Sequence, residues 1–142
     1  MDKQFHFLGT IPVLPSSNIE RDIAWYKEKT GFEVVHFDKM YAVLERDNLC
    51  LHLQWHAGTE DDPLGGGSVI RITVDNITPI FEEFVRRGTV NKSKFAANTP
   101  WRTNEFGFFD LNKNAIFIME DLGHGKPNSA SHDQQRQAKK SQ

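Results

Sequence analysis

The sequence lacks the features that mark several classes of protein. A single cysteine, Cys50, excludes an internal disulfide, which fits a reducing cytoplasm. No apolar run approaches the roughly 20 residues that a membrane-spanning helix needs. The first residues, MDKQFHFLG, lack the apolar region of a secretory signal. For a chain of 142 residues we therefore expect one cytoplasmic domain without a membrane partner.

Positive charge is scarce outside the C-terminal end of the chain. The last twenty residues carry four basic side chains and one acidic one, whereas residues 1–122 carry 13 basic and 18 acidic groups. An acidic body repels nucleic acid and mildly favours cationic ligands. Residues 123–142 also have almost no apolar side chains. We therefore expect a disordered C-terminal tail and no nucleic-acid partner.

Two segments of the chain repeat one helical pattern. They are NIERDIAWYKEKTG, residues 18–31, and NITPIFEEFVRRG, residues 76–88. Each opens with an asparagine, whose side chain can cap a helix, and continues with apolar residues at helical spacing. Each ends at a glycine, which suits the left-handed position after a helix. The sequence therefore predicts two related helices.

Strand-like runs surround both predicted helices in the same order. FLGTIPVL precedes the first helix, and FEVVHF, MYAVLE and LCLHLQW follow it; SVIRITV precedes the second helix, and VNKSKFA, NEFGFF and AIFIME follow it. The order is β-α-β-β-β in each half, which predicts an α+β fold with a curved, cup-like mixed sheet. We predict module one over 5–56, a linker over 57–67 that contains three glycines, module two over 68–122 and the tail over 123–142.

In the run LCLHLQWH, residues 49–56, three leucines and a tryptophan alternate with Cys50, His52, Gln54 and His56. Successive side chains of a strand point to opposite faces, so the leucines are expected to cover the helix layer. Cys50, His52 and Gln54 then face the concave side of the sheet. The same parity in SVIRITV directs Arg71 to that side.

From these elements and two motifs, the chain resembles the vicinal oxygen chelate superfamily, which includes glyoxalase I, extradiol dioxygenases and bleomycin-binding resistance proteins. IPVLPSSNIERDIAWYKEKTGF is similar to the opening of the bleomycin-binding group, and TPWRTNEFGFFDLNKNAIFI is similar to its PWG-REF and DPDGN stretches. Arg102 stands in place of the signature glycine. The turn reads DLNKN, so a positive φ would fall on Asn or Lys.

The resemblance implies that metal-dependent members hold one ligand on each of four strands. Those positions correspond here to Ile11, His52, Val69 and Phe117, of which only His52 is able to bind a metal. We therefore predict no metal and no cofactor.

Other metal partners for His52 are also disfavoured by strand geometry. His56 would lie about 13 Å away and Cys50 about 6–7 Å away along an extended strand, whereas metal–ligand bonds are about 2.0–2.3 Å. A metal held by Cys50, His52 and Glu105 stays open as an alternative.

The polar and aromatic residues expected around the concave side are candidates for binding an organic ligand. They are His36, Tyr41, His52, Gln54, Arg71, Trp101, Glu105 and Phe117. Flat aromatic side chains such as Trp101 and Tyr41 stack on planar ligands and attract cations. Arg71 either pairs with Glu105 or meets an anionic ligand group, and His52 is either a half-buried imidazole with a protein partner or a ligand contact.

The resemblance implies a non-enzymatic homodimer that binds and sequesters a cationic, bleomycin-type antibiotic in crevices at the subunit interface. In that group a proline at the position of Pro12 accompanies exchange of the N-terminal strand, although a proline in an edge strand explains the residue equally well. Two alternatives remain at this point: a metal-dependent lyase or dioxygenase of the same fold, and a binder of another small molecule.

Overall fold

The computed structural model describes residues 4–65 and 67–123. The predicted tail from residue 124 onward, and Gly66 of the predicted linker, lie outside these residues. Within them the chain forms two α-helices, seven strands and a short 3₁₀ helix. In chain order these are β1 Val13–Ser16, α1 Ile19–Thr30, β2 Glu33–Phe37, β3 Tyr41–Arg46, β4 Leu49–Trp55, β5 Val69–Thr73, α2 Ile77–Arg86, the 3₁₀ helix Lys92–Lys94, β6 Thr103–Phe109 and β7 Ala115–Asp121.

The strands form two mixed sheets. Sheet A has the order β1-β4-β3-β2, with β1 parallel to β4 and the other pairs antiparallel. Sheet B has the order β5-β7-β6, with β5 parallel to β7 and β6 antiparallel to it. The predicted α+β class is confirmed, and β1 is an edge strand, as its proline content suggested.

Two predicted strands differ from the structure. VNKSKFA contributes a 3₁₀ helix, Lys92–Lys94, and an isolated bridge between Ala96 and Glu105 in place of a strand. Its polar residues offer no alternating apolar face to bury, and the Asn91 side chain accepts from Ser93 N at 3.0 Å, which favours a local turn. FLGTIPVL becomes a strand only at Val13, so Pro12 lies just before β1. Because VNKSKFA does not form a strand, the predicted β-α-β-β-β order holds for module one alone.

Both helices begin at their predicted asparagine caps. Asn18 accepts from the backbone N–H of Arg21 at 3.0 Å, and Asn76 accepts from that of Thr78 at 3.4 Å. Gly31 and Gly88, which follow the two helices, both have φ 77. This left-handed backbone costs glycine little. Among the described residues no helix is long and apolar enough to cross a membrane.

One hydrophobic core lies between the sheets and the helices and is shared by both modules. Its members include the inward leucines of β4 and the alternate isoleucines of β7. The most completely enclosed apolar side chains are Leu14, Tyr26, Leu44, Leu53, Ile77, Phe84, Phe106 and Ile116. Each contributes roughly 1.5–3 kcal/mol relative to an exposed position. The leucine prediction for Leu51 and Leu53 is confirmed, whereas Leu49 at the strand start is 39% exposed.

Buried polar contacts bind the start of α1 to the turn between β6 and β7. Asn112 donates to Asp22 at 2.6 Å, and Tyr26 donates its hydroxyl hydrogen to Asp110 at 2.6 Å. Burial, followed by the charge of Asp110, raises the pKa of Tyr26, so its hydroxyl remains a donor. In the same turn Lys113 has φ 66, which confirms that the positive φ of DLNKN falls on Asn or Lys.

The C-terminal end of α1 is held by side chains that β3 and α2 supply. Arg46 forms a bidentate pair with Glu83, with both N–O distances 2.7 Å, and also donates to the carbonyl of Thr30 at 2.7 Å. Arg87 donates to the carbonyl of Glu28 at 2.9 Å. These bonds satisfy carbonyls that a helix end leaves open. Hydrogen bonds from Arg46, opposed by burial and aided by Arg87, hold the pKa of Glu83 at about 2.

Candidate ligand-binding site

The two sheets each present one face away from the shared core. The open face of sheet A carries Tyr41, His52 and Gln54, and the open face of sheet B carries Arg71, Glu105 and Phe117. Strand alternation produces both faces, because Leu53 and Ile118 on the neighbouring positions are buried. The parity predicted from LCLHLQWH and SVIRITV is confirmed.

On the open face of sheet A, one hydrogen bond joins two of the candidate residues. The Tyr41 hydroxyl lies 2.7 Å from His52 Nδ1, and their rings meet edge to face with centroids 5.2 Å apart. Gln54 is the cross-strand neighbour of Tyr41 and its side chain is exposed. His52 therefore has a protein partner, which is the first of the two alternatives that the sequence left open for this residue.

His36 lies at the outer strand of the same face. It is the neighbour of Val43, which in turn is the neighbour of His52, so the two histidines occupy one row across three strands. Two strand spacings are about 9–10 Å. His36 is exposed and stands apart from the pair formed by Tyr41 and His52. A large ligand could span this row, whereas a single ion could not.

On the open face of sheet B, one carboxylate oxygen gathers three hydrogen bonds. Glu105 Oε1 accepts from Arg71 Nη2 at 2.8 Å, from the Trp101 indole N–H at 2.8 Å and from the Thr103 hydroxyl at 2.6 Å. Glu105 is 6% exposed. Burial alone would raise its pKa, but the bonds from Thr103, Trp101 and Arg71 outweigh this effect and leave the pKa lowered.

The arginine of this charged pair also lies over an aromatic ring. The Arg71 guanidinium lies 5.1 Å from the centroid of the Phe117 ring, within range of a cation–π contact. Phe117 in turn lies against Gly107, where an added Cβ would come within 2.6 Å of the ring. Glycine at this position of β6 therefore leaves the space that Phe117 occupies.

The loop that carries Trp101 is a tight connection into β6. Thr99 N donates to the carbonyl of Thr103 at 2.9 Å, and Arg102 N donates to that of Thr99 at 2.9 Å. Arg102 has φ 64, a left-handed value at the position where the resembling group has glycine. The indole of Trp101 is 53% exposed in this loop. The substitution of glycine by arginine thus keeps the turn at a cost in backbone strain.

A metal does not fit the residues at the corresponding positions. Of the four positions that the resemblance assigns to metal ligands, Ile11, Val69 and Phe117 have no metal-binding atom, and in the observed register the neighbours of His52 on β1 and of Phe117 on β5 are Val13 and Arg71. Neither neighbour supplies a neutral or anionic donor. Across residues 4–65 and 67–123, no three His, Cys, Asp or Glu side chains are placed to hold one ion.

The alternative set of Cys50, His52 and Glu105 is not assembled. Cys50 and His52 lie on sheet A, whereas Glu105 lies on sheet B with its Oε1 engaged by three donors. Burial, followed by the charge of Glu45, raises the pKa of the Cys50 thiol. A protonated thiol is a poor metal ligand, because the thiolate is the binding form.

The eight candidate residues therefore fall into two groups. His36, Tyr41, His52 and Gln54 lie on sheet A; Arg71, Trp101, Glu105 and Phe117 lie on or beside sheet B. In the first group Tyr41 is hydrogen-bonded to His52, and in the second Arg71 and Trp101 both donate to Glu105. Thr103 and Gly107 were missed from the sequence. Their alternation with Glu105 along TNEFGFF, residues 103–109, was the available signal.

No protein-family model matches the chain. Bleomycin resistance proteins of Geobacillus stearothermophilus and Staphylococcus aureus are each 25% identical over 129 residues, covering 81% of this chain and 98% of each relative. Among solved structures, the bleomycin resistance determinant encoded on the transposon Tn5 superposes with a TM-score of 0.67 at 21% identity, covering 80% of this chain and 97% of that one.

Two further structures extend the comparison. A bleomycin-binding protein from bleomycin-producing Streptomyces verticillus, complexed with copper(II)-bleomycin, has a TM-score of 0.65 at 22% identity and covers 81% of this chain and 97% of that one. A glyoxalase/bleomycin resistance protein/dioxygenase from Nocardioides has a TM-score of 0.67 at 18% identity and covers 89% of this chain and 91% of that one.

The chain has the fold of the glyoxalase/bleomycin resistance/dioxygenase superfamily, so the predicted resemblance is confirmed. In sequence it is similar to bleomycin resistance proteins over nearly the whole length of those relatives.

Proposed function

We propose that the protein binds a bleomycin-type antibiotic and sequesters it without altering it. The observation that carries this proposal is the open face of sheet B. There Trp101 offers a ring that is 53% exposed, in the second of the two stretches that resemble the bleomycin-binding group. An exposed indole beside the Arg71–Phe117 stack suits a planar heteroaromatic part of a ligand. Sequence similarity to bleomycin resistance proteins supports the choice of drug.

The complete site in this proposal is a crevice between two copies of the chain. Each copy presents two separate groups of candidate residues, and a dimer that faces sheet A of one protomer with sheet B of its partner would bring them together. Apolar side chains before β1 support a partner, because Phe7 is 87%, Leu8 98% and Ile11 50% exposed. We propose that this segment, ending at Pro12, exchanges between protomers.

The space available to an exchanged segment lies beside the two edge strands. A cleft of about 850 Å³ runs between residues 8–12, residues 48–51 and residues 70–73. It borders β5, whose outer edge is unpaired within the described sheets. An unpaired edge can accept a strand from another chain. The unpaired edge of β5, next to residues 8–12, supports the proposed exchange of an N-terminal strand between protomers.

The proposed activity is binding, without a metal and without catalysis. Where metal-dependent members of the superfamily hold four ligands, this chain has Ile11, Val69 and Phe117 at three of the positions, and only His52 is able to bind a metal. Arg71 and Glu105 neutralise one another at 2.8 Å, which leaves no obvious acid or base on the open face of sheet B. The protein would act in the cytoplasm, where a trapped drug cannot reach DNA.

Survival of cells exposed to bleomycin tests this proposal. Expression of the wild-type protein should raise the survival of a sensitive host, and Trp101→Ala should abolish the protection at equal protein level. Recovered drug should keep its original mass, because binding does not alter it. Protection accompanied by a modified drug, or stoichiometric Zn, Fe or Mn in protein purified without chelator, would instead support an enzyme of this fold.

A binder of another small molecule is the second candidate, and Arg102 is the observation that favours it. Arg102 replaces the glycine of the resembling group next to Trp101, its side chain is exposed, and its loop leads into β6 of sheet B, the sheet that carries Arg71. Two guanidinium groups near one stacking ring favour an anionic or neutral planar ligand over a cationic one. A drug analogue with a carboxylate in place of the cationic tail should then bind more tightly than bleomycin.

A further inference from the structure

We propose that Glu105 is a positioning residue that fixes Trp101 and Arg71 in one arrangement for ligand binding. The inference rests on the proposed function and concerns the same open face of sheet B. Glu105 was predicted from the sequence as a ligand contact or as a partner of Arg71. The structure gives it three donors, two of which belong to other candidate residues.

Glu105 itself is poorly placed to touch a ligand. Its side chain is 8% exposed, against 40% for the side chain of Arg71. The oxygen Oε1 already accepts three hydrogen bonds, which is more than its two lone pairs accept in ideal geometry. The exposed surface of the cluster is therefore made of the Trp101 ring and the Arg71 guanidinium, while the carboxylate lies beneath them.

The bond to the indole restrains the orientation of an exposed loop side chain. Trp101 lies in the loop before β6 and is 53% exposed. The bond of 2.8 Å from its N–H to a charged acceptor is of the stronger, charge-assisted kind. Holding the ring before the ligand arrives removes an entropic cost from binding.

The carboxylate is fixed from the opposite side by the loop residues. The Thr103 hydroxyl donates to Glu105 at 2.6 Å and lies 2.7 Å from the Thr99 hydroxyl, and Thr103 N donates to Thr99 Oγ1 at 3.0 Å. Thr103 is 3% exposed. Glu105 therefore joins the base of the loop to the indole at its tip, so the orientation of Trp101 is set by the backbone of β6.

Fluorine NMR of protein labelled with 5-fluorotryptophan tests the positioning without any ligand. The resonance of Trp101 is identified by its loss in Trp101→Phe, which leaves those of Trp25 and Trp55. Glu105→Gln should shift the Trp101 resonance and leave the other two in place. Glu120→Gln is the matched control, because Glu120 is a β7 carboxylate that accepts from Ile77 N at 3.0 Å on the helix side. A Trp101 resonance that does not respond to Glu105→Gln would overturn the inference.

A double-mutant cycle on drug affinity tests whether Glu105 acts through the indole N–H. Glu105→Gln should weaken bleomycin binding about tenfold in the wild-type background and less than about twofold in the Trp101→Phe background, since phenylalanine has no N–H to orient. Equal losses in both backgrounds would overturn this coupling. Thermal unfolding of each variant identifies those that remain folded at the assay temperature.

The two proposals can fail separately. If the wild-type protein does not bind bleomycin, the proposed function is wrong, and the fluorine spectra still decide whether Glu105 positions Trp101. If the wild-type protein binds the drug but both Glu105 tests are negative, the function stands and the positioning role is wrong. If Glu105→Gln does not fold, Thr103→Val removes one of the three donors and should shift the same resonance more weakly.

Discussion

The two open faces differ in how firmly their candidate side chains are held. On sheet B, Glu105 connects Arg71, Trp101 and Thr103 through three hydrogen bonds, and Arg71 also lies over Phe117. On sheet A, Tyr41 and His52 share one bond, while Gln54 and His36 are exposed.

The contrast suggests different roles for the two faces. A face whose side chains are fixed before binding supplies affinity and orientation, whereas a face with exposed polar ends adapts to the shape of the ligand. We expect sheet B to dominate the binding energy and sheet A to tune it.

Removal of the indole should have the largest effect on binding. Trp101→Ala is expected to cost about 2–4 kcal/mol of bleomycin affinity, because it deletes the exposed stacking ring of the firmly held face. Leu111→Ala is the control, since Leu111 is 49% exposed in the turn after β6 and belongs to neither face. Competition binding measures both variants. If Trp101→Ala lost no more bleomycin affinity than Leu111→Ala, sheet B would not dominate the binding energy.

Removal of a carboxylate from the helix layer should lower the free energy of unfolding and leave drug binding at both faces unchanged. Glu83→Gln breaks the bidentate pair with Arg46 and the bond from Arg87, for an expected loss of about 1–3 kcal/mol in the free energy of unfolding at pH 7. Urea unfolding measures the loss, and unchanged drug affinity under folded conditions would show that the scaffold and the site are separable.

The loss of unfolding free energy in Glu83→Gln should become smaller as the pH falls. Because the pKa of Glu83 lies at about 2 in the fold and near 4.5 when unperturbed, its ionised form stabilises the native state above pH 4.5. This contribution falls as the pH drops towards 2. The difference in stability between wild type and Glu83→Gln should therefore be full at pH 6 and small at pH 2. A difference that stays constant over this range would contradict the role given to the ion pair.

Removal of the hydroxyl on sheet A should have a smaller effect on binding. Tyr41→Phe deletes the bond to His52 Nδ1 and keeps the ring, so we expect a loss of about 0.5–1.5 kcal/mol in drug affinity. A titration followed by intrinsic fluorescence measures it. A loss as large as that of Trp101→Ala would mean that sheet A is as firmly organised for binding as sheet B.

Relief of the strained loop should have the smallest effect. Arg102→Gly is expected to stabilise the fold by about 0.5–1 kcal/mol, because the residue has φ 64 and glycine adopts this backbone freely. Arg102→Ala keeps the strain and removes only the guanidinium, which makes it the matched control. Equal melting temperatures for the glycine and alanine variants would show that the backbone of the Trp101 loop is not strained.

The alternation of side chains was the part of the site that the sequence predicted best. Strict period-two patterns placed His52 and Arg71 on the open faces, and asparagine and glycine marked both helices. The sequence left the register of the parallel pairs open, because side-chain alternation fixes which face a residue lies on and not its position opposite a neighbouring strand. In the structure Val13 lies opposite His52 and Arg71 lies opposite Phe117.

Two features were predicted wrongly or only in part. VNKSKFA was predicted as a strand because the repeat includes one at this point, but its polar side chains have no apolar face to bury, and the segment forms a 3₁₀ helix. At Glu105 the pair with Arg71 was one of two alternatives, whereas the bonds from Trp101 and Thr103 were not predicted. Those two bonds depend on the conformation of the loop before β6, which the sequence pattern does not specify.

Calorimetric titration of the dimer with bleomycin tests the central claim most directly. The account predicts binding at micromolar drug or tighter, with one drug molecule per chain and with the heat lost in Trp101→Ala. A wild-type protein that is folded and dimeric, yet releases no heat at micromolar bleomycin, would contradict it.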